Sequence, residues 1–163
     1  MILYLVLSVA TLVYGILSAM QDLKERMIYS FPCYVLTIFW GIYIWRMHQM
    51  SPVYLICFWV IHIVIYLCMN HFKIWGGGDS DFLFLFANVF LAIIGKGNVS
   101  AMAFMECMCL IVALSNSTWI GYLEGKVKKK KINLNSEVAV VPGFVVVMAL
   151  LLMAGYFGRY QML

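Results

Sequence analysis

Six apolar runs, separated by short polar segments, divide the chain of 163 residues. They cover residues 2–20, 28–45, 52–69, 79–95, 99–123 and 138–157. A run of about 20 apolar residues is what an α-helix needs to cross a hydrocarbon core roughly 30 Å thick. The composition leaves few other solutions. Hydrophobic residues make up 65% of the chain and charged residues 11%, against about 45–50% and 25% in an ordinary soluble domain. A soluble fold of this size could not hide so much apolar surface. A water-soluble enzyme, a disordered tail and a disulfide-stapled secreted domain are therefore excluded. The expected fold is an all-α integral membrane protein: one domain of about six transmembrane helices, with no sizeable soluble part.

The first run has no basic residue before it and no A-x-A-like cleavage site, so it reads as a retained helix rather than a cleaved signal. At 1.5 Å per residue it reaches about 28 Å. A charged loop, Gln21 to Arg26, is expected after it. The third run carries His62 at its centre. The apolar part of the fourth, Phe82–Ile94, is too short to span alone. It spans only if its helix begins near Asp79, which places that acid at the membrane edge; a re-entrant segment is the alternative. Glu106 and the patch Ser115-Asn116-Ser117-Thr118 fall inside the fifth run, and Pro142-Gly143 opens the sixth.

Six spans put both termini on one side and sort the basic residues into two sets. Lys24, Arg26, Lys73, Lys126 and Lys128 to Lys131 share one face, and Arg46, Lys96 and Arg159 the other. The positive-inside rule assigns the larger set to the cytoplasm and both termini to the outside. Asp22, Asp79 and Asp81 then all lie at the cytoplasmic face of the cell membrane. The net charge of +4 is thus a topology signal and does not point to nucleic acid. The lysine run reads as part of that signal, with anionic lipid headgroups or an acidic partner as alternatives.

Metal, thiol and serine chemistries have little support. The five cysteines, Cys33, Cys57, Cys68, Cys107 and Cys109, form no C-x-x-C pair. His48, His62 and His71 show no H-E-x-x-H spacing, and no G-x-S-x-G is present. No metal and no organic cofactor is implied. Gly76-Gly77-Gly78 precedes Asp79 without the pattern of a phosphate loop. Three glycines allow positive φ and close backbone approach, in a structural turn or beside a catalytic acid. Acids at a membrane edge are functional candidates by default. Asp22 and Asp79 fall on the same face, and two carboxylates brought close do not both ionise easily. One keeps a proton and serves as acid while the other activates water as base. The competing reading of Asp22 is a cap, or a partner of Lys24 or Arg26 in a solvated loop. Glu106, inside a span, is neutral, paired or part of a proton path.

These residues resemble a known family. Gly76-Gly77-Gly78-Asp79 matches the G-x-G-D signature of membrane-embedded aspartic peptidases. Asp22-Leu23-Lys24-Glu25-Arg26-Met27-Ile28 resembles the first aspartate motif of type IV prepilin peptidases, in which an Asp is followed by basic residues and then by Ile-Pro-Asn. Val141-Pro142 resembles the proline motif of their last span. The short length resembles the compact peptidases of tight-adherence pilus systems and of archaeal preflagellins. Three positions depart from the pattern. Tyr29-Ser30 replace Pro-Asn, Asp81 stands where a lysine commonly follows the G-x-G-D aspartate, and the last motif reads Val-Pro-Gly-Phe. Asp81 is therefore a competitor of Asp79.

The resemblance implies an aspartic endopeptidase of the cytoplasmic (inner) membrane. Its substrate would be a prepilin-like precursor, with a short basic leader in the cytoplasm and a hydrophobic helix in the bilayer. Asp22 and Asp79 would be catalytic, Gly76, Gly77 and Gly78 a supporting loop, and Asp81, Arg26 and Glu106 secondary candidates. Without the paired cysteines of the long bifunctional members, it would cleave and not methylate. Two other classes remain open: an ion- or proton-coupled transporter or channel built on Glu106, His62 and the membrane-edge acids, and a non-catalytic membrane subunit of a secretion or pilus assembly machine.

Overall fold

The computed structural model of the protein describes residues 2–47, 51–72, 76–95, 98–127 and 139–160. They form six α-helices: α1 (Ile2–Glu25), α2 (Ser30–Arg46), α3 (Pro52–His71), α4 (Gly77–Ile94), α5 (Val99–Val127) and α6 (Val141–Tyr160). No strand occurs among the described residues. All helices except α2 are long and apolar enough to cross a membrane. The α2 helix has 17 residues, or about 25 Å, at the short end of what a span needs. The protein is thus an all-α, membrane-type helical bundle.

Helix ends follow local chemistry. Ser51 caps α3, its hydroxyl accepting from the Tyr54 N–H at 3.3 Å, and Pro52 takes the first helical position, where its missing N–H costs nothing. Pro32 and Pro142 likewise fall in the first turns of α2 and α6. The lysine run Lys128 to Lys131, with Lys73, Lys96 and His48, lies outside the described residues.

Two expectations are corrected. Gln21 to Glu25 is not a loop but the last turn of α1. Gln, Lys and Glu are good helix formers, and nothing obliges a helix to stop where the apolar run does. No described glycine has positive φ. Gly76 is the N-cap of α4 at φ −63° and ψ 153°, and Gly77 and Gly78 are already helical. What these positions require is space: a Cβ on residue 78 would overlap the Ile28 side chain.

The α4 helix is the core. From Ser80 to Ala92 nearly every residue is buried, and α2, α3 and α6 pack against it. The α6 helix also packs on α1 and α5, and α1 on α2. By contrast, α3 buries only Leu55, Phe58 and His62, and α5 only Met102, Ala113, Ser117 and Gly125. Most of their other residues are apolar and turned outward, as lipid contact requires. Close approach and polar contacts hold such helices together, because lipid tails are as apolar as leucine. Gly143 of α6 lies directly on the Ala113 carbonyl and Ser117 of α5, and the Ser117 hydroxyl donates to the Val140 carbonyl at 2.6 Å. Tyr4 of α1 donates to the Leu152 carbonyl of α6 at 2.8 Å, and Trp40 of α2 to the Thr11 hydroxyl of α1 at 2.9 Å.

Gly143→Ala should therefore destabilise the α5–α6 contact by about 1–3 kcal/mol, read as a lower melting temperature in detergent. Gly158→Ala, where a Cβ meets nothing within 4 Å, should melt no lower than wild type.

Candidate active site

The buried residues of α1 run Tyr4, Leu7, Ser8, Thr11, Gly15, Ser18 and Asp22. The spacing is a stripe along one helix face. Asp22 is its last member and only 5% exposed. It faces the bundle, which excludes the solvated-loop reading. Its Oδ2 accepts the N–H of Val141, the first residue of α6, at 3.0 Å. Asp22 is thus a cap supplied from another helix. Pro142 has no N–H to offer, so the Val141 donor is a natural attachment point, and the N-terminal end of a helix favours a negative charge.

Asp79 is the third residue of α4 and reaches back over its own helix start. Its Oδ2 lies 3.3 Å from where a Cβ on Gly76 would stand, within reach of the Gly76 N–H. An acid at N3 turned back over the N-cap is the arrangement of a capping box. A side chain on residue 76 would crowd that carboxylate.

The two acids meet. Asp22, Asp79, Arg26, Met27, Ile28 and the three glycines line one cavity of about 320 Å³. Asp22 is close enough for its charge to act on Asp79, and Arg26 is close enough to act on both. Arg26 follows the end of α1 with its N–H on the Asp22 carbonyl at 3.1 Å. Its Nη2 donates to Glu124 Oε2 of α5 at 2.7 Å. Helix ends of α1, α4, α5 and α6 therefore converge here.

The secondary candidates go elsewhere. Asp81 is two residues beyond Asp79, about 200° around the helix, and faces α2. Tyr34 donates to its Oδ1 at 2.7 Å, and the Cys33 thiol to its backbone carbonyl at 3.2 Å. Asp81 does not line the cavity; it fastens α4 to α2. Glu106 also lies away from the cavity, with Oε1 2.8 Å from His62 Nε2 of α3. His62 Nδ1 is 2.9 Å from the Phe58 carbonyl. A carbonyl only accepts, so Nδ1 carries a proton and Nε2 shares a second one with Glu106. The pair holds one proton between imidazole and carboxyl and is neutral as a unit.

A second, apolar recess of about 350 Å³ lies between α2, α3 and α4. Its amide, Asn88, is already bonded to Trp59 Nε1 at 3.0 Å and to the Phe84 carbonyl at 2.9 Å. Among the described residues no group of three His, Cys, Asp or Glu side chains is placed to hold a metal ion. The Asp22–Asp79 cavity is thus where titratable groups converge around open space.

Sequence reasoning missed the partners Val141, Glu124 and Tyr34 and the pairing of His62 with Glu106. A signal existed for the last. Two lone ionisable groups in separate spans are expected to find each other or water. Compared with models of known protein families, with curated proteins and with solved structures, the chain matches none of them.

Two outcomes test this geometry. Asp22→Ala removes the cap on α6 and should cost about 0.5–2 kcal/mol, whereas Asp22→Asn keeps an acceptor oxygen and should melt near wild type. Glu106→Leu alone should lower stability by several kcal/mol, because a buried pair loses one partner, and His62→Leu combined with Glu106→Leu should recover much of that loss. Thermal melting of the four variants decides both.

Proposed function

We propose that the protein is a membrane-embedded aspartic endopeptidase acting where a polar peptide segment meets an apolar helix. The observation that carries this reading is the shared cavity: Asp22 and Asp79 come from two helices 57 positions apart in sequence and face the same 320 Å³ of space. Asp22 is held by a backbone N–H at the start of α6, and Asp79 turns back over Gly76 at the start of α4. A carboxylate has acceptor capacity at about four sites, so a capping N–H leaves room for a water.

The chemistry follows from the pair. With one acid protonated and one ionised, the ionised carboxylate takes a proton from a water lying between them. The water oxygen attacks the peptide carbonyl carbon, and the protonated acid gives its proton to the carbonyl oxygen. The C–N bond breaks as the first carboxyl gives its proton to the departing nitrogen and the second carboxylate takes a proton from a hydroxyl of the gem-diol, which leaves the acid product and the singly protonated pair. The pair titrates as a unit. Gly76, Gly77 and Gly78 keep one wall of the cavity free of side chains, so an extended peptide can come close to Asp79.

The resemblance to type IV prepilin peptidases narrows the substrate to precursors with a short basic leader and a hydrophobic helix. In this reading the acids lie at the cytoplasmic face of the inner membrane and both termini outside. The leader is cut off at the membrane edge while the helix stays in lipid.

Co-expression with a panel of prepilin-like precursors, followed by mass spectrometry of their N-termini, tests the proposal. Wild type should shorten a precursor at the leader boundary. Asp22→Asn and Asp79→Asn, which keep their cap acceptors, should leave it intact while remaining folded in the membrane, a loss of at least about 1,000-fold. Asp81→Asn should cleave more slowly through a loosened α2–α4 contact. Full activity of either dyad variant would exclude the pair as the catalytic apparatus.

A further inference from the structure

Tyr14 touches three of the parts that build the cavity. It belongs to α1, the helix that carries Asp22. Its ring stacks on Phe82 of α4, with centroids 6.0 Å apart and planes at 26°. Phe82 is buried and stands three residues, nearly one helical turn, beyond Asp79. The Tyr14 hydroxyl donates to the Tyr29 carbonyl at 2.8 Å. Tyr29 is the N-cap of α2 and makes no side-chain cap of its own. One side chain thus braces α1, α4 and the connection from α1 to α2.

That connection carries the wedge of the site. Ile28, next to Tyr29, lies so close to Gly78 that a Cβ there would overlap it, and Gly78 adjoins Asp79. Residues 27–29 belong to no helix, so a helical ladder does not hold them. The bond from Tyr14 keeps them down on α4, and the stack on Phe82 keeps α4 beneath them. A phenylalanine would stack as well as a tyrosine, so the task left to the hydroxyl is the connection. We propose that Tyr14 is a positioning residue: through the Tyr29 carbonyl it seats Ile28 against Gly78 and so sets the separation of Asp22 and Asp79. The proposal rests on the peptidase reading above.

Tyr14→Phe keeps the ring and removes only the hydroxyl. Tyr4→Phe is the control, since the Tyr4 hydroxyl donates to the Leu152 carbonyl at the same 2.8 Å, at the opposite end of α1 from Asp22. Purified full-length protein in detergent is assayed on a precursor that wild type cleaves. Tyr14→Phe should lower kcat about 10-fold, the scale of a sub-ångström misplacement of reacting groups, with KM within about twofold. Tyr4→Phe should leave kcat within about twofold of wild type. Ile28→Ala should lower kcat about as much as Tyr14→Phe, and the double variant no further, because both act through one contact. An activity-free measurement runs beside these. Trypsin cleavage after Arg26 should be about 2- to 10-fold faster in Tyr14→Phe than in wild type, the worth of one hydrogen bond in local opening, and unchanged in Tyr4→Phe. If Tyr14→Phe keeps wild-type kcat, if it and Tyr4→Phe lose kcat alike, if the losses of Tyr14→Phe and Ile28→Ala multiply, or if the trypsin rate does not move, Tyr14 is only a packing residue and the proposal fails while the peptidase reading stands. If wild type cleaves no precursor in the panel, the peptidase reading fails, and the kinetic role of Tyr14 with it, whatever the trypsin rates show.

Discussion

The first turn of α4 rests against the connection between α1 and α2 through a contact that only a glycine permits. Gly78 lies so close to Ile28 that a Cβ would overlap its side chain. Ile28 is six residues past Asp22, and Gly78 adjoins Asp79. Their contact therefore sets how near the two acids come. Two carboxylates in a partly desolvated space repel, and the fold offsets this with the N-terminal ends of two helices. Asp22 takes an N–H of α6, and Asp79 turns back over Gly76, the N-cap of α4. The Arg26 guanidinium adds positive charge beside them. Moving any of these helix ends would leave an acid in the bundle without its support, so the site and the packing of α1, α4 and α6 stand or fall together.

Away from this end several polar groups inside the bundle find partners on another helix, while Ser18 Oγ and Thr37 Oγ1 stay buried without one. Thr11 meets Trp40, Asn88 meets Trp59, Tyr4 meets the Leu152 carbonyl, and His62 meets Glu106. Each contact joins two different helices. The last carries particular weight, since α3 packs on α4 and α5 on α6. The imidazole–carboxyl bond joins α3 to α5, which otherwise lean chiefly on α4 and on α6. A neutral pair sharing one proton is the least costly form in which two ionisable groups can sit there. It gives Glu106 a structural role that requires no connection to the acids of the cavity.

The six helices were legible in the sequence because a lipid solvent constrains length and polarity more strongly than water does. Their ends were less so. Hydropathy reports where the apolar run stops, and the backbone of α1 continues through Gln21 to Glu25 because nothing breaks it. The consequence for Asp22 was large: read as a loop residue it would face solvent, whereas as a helix residue it closes the stripe from Tyr4 through Thr11 and Ser18. That stripe of small and polar residues at helical spacing was present in the sequence and marks the inward face of α1. The role of the glycines was legible only in part. Close approach holds for Gly78, but positive φ does not, since Gly77 and Gly78 are helical. The partners Val141, Glu124 and Tyr34 were not legible, because a contact between segments 47 to 119 residues apart depends on packing that no local pattern encodes.

Capping and catalysis are often weighed as rival explanations of a buried acid, and here the geometry makes them compatible. A cap requires an acceptor oxygen, which Asn supplies as well as Asp. Proton exchange requires an ionisable oxygen, which Asn lacks. If the acids served as caps alone, nothing would require both to face the same open space, and Asp81 shows what a purely structural acid looks like in this fold: 4% exposed, bonded to a tyrosine hydroxyl, and turned from the cavity. Asp22 and Asp79 instead share about 320 Å³ with a side-chain-free glycine wall and with Arg26. On the proposed reading the helix starts do both tasks at once. They hold Asp22 by a backbone N–H and seat Asp79 over Gly76, and they leave the remaining acceptor sites to the water and peptide between them.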